Sequence, residues 1–244
     1  MAESWAWIVN QFEQTFITDN RWQYFAKGIV TTLEVTFLAL ILGVVIGVVI
    51  AVIRSAHDSQ RGSKKGIGHV ILAFFNAIAK LYLTVIRGTP STVQLLIMWF
   101  IVFKWARDDM MVWVAAISFG INSGAYVAEI VRSGIMSIDL GQSEAGRSLG
   151  LNYTQTMGYI VIPQAIKNIL PALGNELITL LKETSICGFI GLQDLTKGAM
   201  IVQSRTYAPF VPYLSIAVLY LALVLILSKL LSIFERRLRE SDRR

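Results

Sequence analysis

Uncharged apolar runs recur along the chain, separated by short polar breaks. Val35 to Ile53, Met110 to Ala128 and Thr206 to Ser228 contain no Asp, Glu, Lys or Arg. A helix that crosses a hydrocarbon core needs about 20 mostly apolar residues. None of these runs alternates apolar with polar side chains as a barrel strand would, so helices must satisfy the backbone in lipid. The pattern predicts an all-α integral membrane fold with five transmembrane helices, over about residues 28–53, 70–103, 110–132, 164–190 and 211–234. It predicts one transmembrane domain over residues 1–244, with a polar loop at 138–163 between the third and fourth spans. Gly43 and Gly47 stand four apart in the first span, a spacing that lets another helix approach closely.

Composition agrees with the pattern. Hydrophobic residues make up 55% of the 244 and charged residues 16%, against about 25% charged in soluble domains. A net charge of +6 raises the question of a nucleic-acid partner, but the basic residues collect at helix ends. Arg54, Arg61, Lys64 and Lys65 follow the first span, and Arg236, Arg237, Arg239, Arg243 and Arg244 follow the last. The positive-inside rule places both flanks in the cytoplasm, the N-terminus outside and the C-terminus inside, and no nucleic acid is expected. The first 25 residues lack the basic start and cleavage site of a signal peptide; their Trp and Tyr side chains are expected along an interface. Cys187 is the one cysteine, and His57 and His69 stand apart, so neither a disulfide nor a metal site is expected.

Two of the expected spans are interrupted, by Arg87-Gly-Thr-Pro90 and by Lys182-Glu-Thr-Ser185. Broken helices expose backbone groups that lipid cannot satisfy, so they are tolerated where they line a cavity. The substrate site is therefore expected at Gly88, Thr89, Gln94, Lys182, Glu183, Thr184 and Ser185. A helix starting near Pro90 offers free N–H groups and a positive dipole end to a carboxylate. Thr89 and Gln94 add a hydroxyl and an amide, while Glu183 suits an α-ammonium or a basic side chain. Arg87 snorkelling to headgroups, Pro90 kinking a packed helix and a plain Lys182–Glu183 ion pair remain open alternatives. Asn122, Tyr126 and Glu129 share a helix stripe that serves as a third candidate or as polar helix packing.

The loop after the third span, Ser143 to Pro163, is too polar to cross a membrane. Gly150 divides it into two short amphipathic helices, the first capped by Asp139 or Ser143 and the second by Asn152 or Thr154. Met157, Ile160 and Val161 form an apolar stripe on the second, and Pro163 marks a break before the next span. The residues alone leave a lipid-surface helix and a protein-docking helix equally open. Glu144-Ala145-Gly146, three residues, Gly150, nine residues, then Ile160-Val-Ile-Pro163 resembles the EAA loop of ABC importer permeases. Gly146 replaces the second Ala of that motif and Ile162 replaces its Leu. The resemblance extends through RGTPSTVQLL, GAYVAEIVRSGI and LKETSICGFIGLQDLT, from roughly Gly28 to Arg237, to the polar amino acid permeases of type I importers.

That resemblance implies a multi-pass subunit of the bacterial cytoplasmic membrane that forms the translocation pathway for a polar amino acid. Glu144, Ala145, Gly146, Gly150, Ile160 and Pro163 would seat on an ATP-binding subunit. It further implies two ATP-binding subunits, a second permease copy in a homodimer or heterodimer, and an extracellular solute-binding protein. ATP and Mg would be bound by the partner, since this chain has no GxxxxGK[ST] phosphate loop and needs no cofactor of its own. The absence of HExxH, GxSxG and any Cys–His constellation argues against an enzyme. A stand-alone secondary transporter or channel is the alternative, against which stand the small number of spans and the lack of an inverted repeat.

Overall fold

A computed structural model describes residues 2–59 and 66–240. Arg61, Lys64, Lys65, Arg243 and Arg244 lie outside the described residues, as does the side chain of Arg239. Among the described residues the structure is helical and contains no strand. The helices are α1 (Ala2–Phe12), α2 (Trp22–Ser59), α3 (Ile67–Gly88), α4 (Ser91–Ile97), α5 (Met111–Met136), α6 (Leu140–Ser148), α7 (Tyr153–Thr156), α8 (Ile162–Glu183), α9 (Leu195–Thr206) and α10 (Phe210–Glu240). Among the described residues four segments are long and apolar enough to cross a membrane: Trp22–Asp58, Ile67–Gly88, Asp108–Met136 and Phe210–Arg237. The fourth expected span corresponds to α8, whose Lys167, Glu176, Lys182 and Glu183 lower its apolar character.

Both expected interruptions have a structural counterpart, of different kinds. At the first, α3 ends at Gly88, Thr89 is extended at φ −123° and ψ 144°, and α4 starts at Ser91. The extended backbone is what a residue before proline prefers. At the second, the chain does not unwind. It tightens from α8 into a 3₁₀ helix over Thr184–Ile190 that stops at Gly191, whose φ is +91°. Leu180, Leu181 and Thr184 are buried there, and the Thr184 hydroxyl donates to the Leu181 carbonyl at 2.8 Å.

The chain divides into two compact units, each built from three separate segments. The first comprises residues 1–39, 91–118 and 178–230. Its core is Phe25 of α2 against Leu195, Ala199 and Val202 of α9, with Phe16, Tyr24 and Tyr220 around them. Two glycines permit this approach. A Cβ on Gly28 would lie 2.6 Å from the Leu195 Cα, and one on Gly198 would lie 2.7 Å from the Tyr24 carbonyl oxygen. Close contact brings polar groups together: the Leu195 N–H donates to the Thr32 hydroxyl at 3.2 Å. Asp194 caps α9, accepting from the Thr196 and Lys197 N–H groups at 3.1 and 2.9 Å.

Asp194 lies outside the spans yet is fully buried. Burial pushes its carboxyl up to about 6, against the lowering effect of the Lys197 and Thr196 donors. The folded protein therefore holds this proton more tightly than the unfolded chain does. Stability falls as pH rises between roughly 4 and 6, by about 3 kcal/mol in full. Asp194→Asn keeps the cap acceptor and removes the charge. Its melting temperature in detergent is expected to exceed wild type at pH 7, and the gap to shrink towards pH 4. Parallel melting profiles for the two proteins would refute the assignment.

The second unit comprises residues 40–90, 119–177 and 231–244. The expected glycine pair of α2 forms its central seam, against α5. A Cβ on Gly43 would meet the Ser123 side chain at 2.9 Å, and one on Gly47 would meet that of Val127 at 2.5 Å. Gly120 and Gly124 of α5 return the fit against Leu42 and Ile46. Ala51, Val127 and Val131 close this seam, while Leu83 of α3 packs on Ala125 and Ala128 beside Ile50. Tyr82 donates its hydroxyl proton to the Ile121 carbonyl at 2.5 Å, fixing α3 to α5.

Candidate functional site

The polar loop folds as a knuckle within the second unit. Asp139 starts α6, its Oδ1 accepting from the Gly141 N–H at 2.6 Å. Gly150, at φ +84°, ends it. The Leu151 N–H reaches the Gly146 carbonyl at 3.1 Å and the Gly150 N–H reaches the Arg147 carbonyl at 2.9 Å, a Schellman closure. Asn152 and Gln155 then form a reciprocal capping box, both hydrogen bonds at 2.9 Å, which starts α7. Of the alternatives open at each cap, Asp139 and Asn152 are the ones used.

The two arms meet at Gly146, which is buried although Glu144 and Ala145 beside it are exposed. A Cβ there would stand 2.9 Å from Ile160 Cδ1 and from Thr156 Cγ2. The Gly146 departure from the motif thus coincides with a tight contact between arms. Along the second arm Val161 is buried and Met157 and Ile160 are half-buried, as the stripe requires. The break expected at Pro163 takes the form of a π-helical segment, Met157–Val161, that runs directly into α8. A proline that lacks its N–H is accommodated by this local register shift. Leu149 and Tyr159 remain 80% and 76% exposed, leaving an apolar surface on the knuckle.

The residues expected at the substrate site fall in both units. Gln94, Lys182, Glu183, Thr184 and Ser185 belong to the first, where α4 packs against the 3₁₀ segment Thr184–Ile190. Lys182 is exposed, Glu183 and Ser185 are half-buried, and the Thr184 hydroxyl is engaged in its own helix. Gly88 and Thr89 belong to the second, where the Thr89 hydroxyl donates to the Val85 carbonyl at 2.9 Å and closes the end of α3.

The Asn122, Tyr126 and Glu129 stripe also lies in the second unit. Asn122 is buried, while Tyr126 and Glu129 meet Arg87. The Arg87 guanidinium lies 5.7 Å from the Tyr126 ring centre and 3.9 Å from a Glu129 oxygen, so it pairs within the protein. A cleft of 480 Å³ follows this face to Ser133, Asn168 and Glu176. Ser123 donates to Glu176 across α5 and α8 at 2.7 Å. Sequence reasoning did not single out Ser123 or Glu176, because the partners are far apart in the chain and no local spacing links them.

Residues 68–240 match the family described as binding-protein-dependent transport system inner membrane component. A putative glutamine transport system permease protein of Rickettsia bellii is 44% identical over 161 residues, covering 66% of this chain and 74% of that protein. The arginine transport system permease protein of Bacillus subtilis is 42% identical over 166 residues, covering 68% and 76%. Among solved structures, an amino acid ABC transporter with histidines superposes with a TM-score of 0.78 at 43% identity, covering 91% of this chain and 98% of that one.

Proposed function

This chain belongs to the inner membrane components of binding-protein-dependent transport systems, and on that premise we propose that it is the permease subunit of an ATP-driven importer of polar amino acids. It is a multi-pass protein of the cytoplasmic membrane. The observation that carries the coupling role is the knuckle itself. Its ends are closed by caps and its arms by the Gly146 contact, so Glu144, Ala145, Leu149 and Gly150 stand outward on a rigid support. Such a surface suits a groove on an ATP-binding subunit, where nucleotide-driven motion is passed to α8 through the continuous second arm. Glu144, Ala145, Gly146, Gly150, Ile160 and Pro163 carry this role.

Two ATP-binding subunits, a second permease and an extracellular solute-binding protein complete the assembly, and the ATP and Mg belong to those partners. The chain itself is a transport subunit and not an enzyme. On the substrate side, Gln94 and the Lys182–Ser185 segment engage the amino acid in the first unit, with Glu183 facing its cationic group. Gly88 and Thr89 serve at the end of α3 in the second unit.

The direct test is ATPase activity in lipid nanodiscs of this chain with its cognate ATP-binding subunit and solute-binding protein, screened against the twenty amino acids and cystine. Stimulation by a few polar amino acids is expected; a complex that none of them stimulates would refute the reading. Glu183→Gln is expected to lower stimulation by cationic substrates about tenfold, the cost of one charge-assisted contact of roughly 1.5 kcal/mol, and to spare neutral ones. An unchanged substrate profile would remove Glu183 from the site.

A further inference from the structure

We propose that the second unit carries a binding site for the phosphate group of an anionic lipid, in a cleft formed by α2, α3 and α5. The cleft has a volume of 470 Å³ and is lined by Arg54, Lys80, Thr84, Arg87 and Glu129, and it reaches Gly88, a residue expected at the substrate site. Three cations thus face one carboxylate. Arg87 is the cation that Glu129 pairs, at 3.9 Å. Arg54 and Lys80 make no ion pair among the described residues, and the Arg54 Nε is buried without a hydrogen-bond partner. A buried guanidinium nitrogen left unmatched, beside a second uncompensated cation, is costly unless an anion completes the set.

Place and surroundings select a lipid. Leu83, also in the cleft, packs beside Ile50, which puts the site within the last two turns or so before α2 ends. That end leads into Arg61, Lys64 and Lys65, with no acidic residue from Gln60 to Lys65. On the orientation expected from charge this is the cytoplasmic leaflet, whose anionic lipids favour basic pockets between membrane helices. Apolar residues next in sequence to the cleft stay open: Val52 is 59%, Leu81 64% and Val85 50% exposed. Cations beside exposed apolar helix surface match a ligand with a phosphate head and acyl tails. Arginine supplies a planar fork to the phosphate oxygens and lysine a point charge, while the Thr84 hydroxyl is held by the Lys80 carbonyl at 2.9 Å.

The test is native mass spectrometry of the full chain released from micelles containing equal amounts of phosphatidylglycerol and phosphatidylcholine. One tightly held phosphatidylglycerol per chain is expected, surviving addition of millimolar inorganic phosphate. Arg54→Gln with Lys80→Gln is expected to weaken that retention about thirtyfold, since each cation near an anionic surface contributes roughly tenfold or less. Arg54→Lys with Lys80→Arg preserves the charges and should retain the lipid, which separates loss of the site from loss of the fold. Equal retention of the two lipids, or retention untouched by the double Gln change, would overturn the proposal. Displacement by inorganic phosphate would likewise overturn the lipid assignment and give the same phosphate chemistry a soluble source.

Discussion

Gly150→Pro is expected to leave the chain inserted in the membrane while abolishing its co-purification with an ATP-binding subunit. Proline holds φ near −65°, whereas Gly150 sits at +84°. It also lacks the N–H that closes α6 on the Arg147 carbonyl. The two arms then lose their reversal, and the penalty of about 3 kcal/mol or more falls on the knuckle alone. Space plays no part, because a Cβ on Gly150 meets nothing within 4 Å. Gly150→Ala should therefore show only the left-handed backbone cost of about 1–2 kcal/mol and retain partial capture. Glu144→Arg supplies the complementary case: its side chain is exposed, so the knuckle stays folded while the docking surface inverts its charge. Membrane flotation reports insertion and a tagged ATP-binding subunit reports capture. Normal capture by both Gly150→Pro and Glu144→Arg would remove the coupling role from this loop.

The second large effect is expected at Gly28→Ala, in the core of the first unit. An added methyl would lie 2.6 Å from the Leu195 Cα and 2.8 Å from the Asp194 carbonyl oxygen and the Leu195 nitrogen. All three are backbone atoms, so no side chain can swing aside. α9 must move, taking with it the Leu195 N–H bond to Thr32 and the buried cap at Asp194. Overpacking of this kind costs about 1–3 kcal/mol, a drop of roughly 2–12 °C in melting temperature for a chain of this size. Gly158→Ala is the control, since nothing lies within 4 Å of its Cβ position. A Gly28→Ala protein that melts with wild type would show that α2 and α9 are less closely packed than described.

Legibility in the sequence followed the range of the interaction. The helical membrane fold, the Gly43 and Gly47 seam and the reversal at Gly150 were readable because each rests on local composition, spacing or backbone freedom. The knuckle caps were narrowed to two candidates apiece, and geometry chose between them. The second interruption was read as a break because charges and hydroxyls cluster there, but Leu181 and Thr184 are buried and hold the segment in a tighter helix. The partners of Gly28, Arg87 and Glu176 were not readable, since Leu195, Glu129 and Ser123 reach them only through tertiary packing. Arg54 was read only as one of the charges that flank the first span, and Lys80 was not singled out; the cleft that they share exists only once α3 is laid beside α2.

The interleaving of the two units sets a schedule for biogenesis. Phe25 and Gly28 leave the ribosome early, yet the Leu195 surface that covers them is translated far later. At about 5–20 residues per second that delay is on the order of ten seconds. Throughout it the Gly28–Thr32 notch faces lipid or the insertion machinery with its hydroxyl unmatched. Because each unit takes its last segment from beyond residue 177, a chain that stops before residue 178 completes neither. Such fragments would be inserted but unassembled, and so open to membrane proteases, which makes translation through α9 and α10 the commitment point for a surviving subunit.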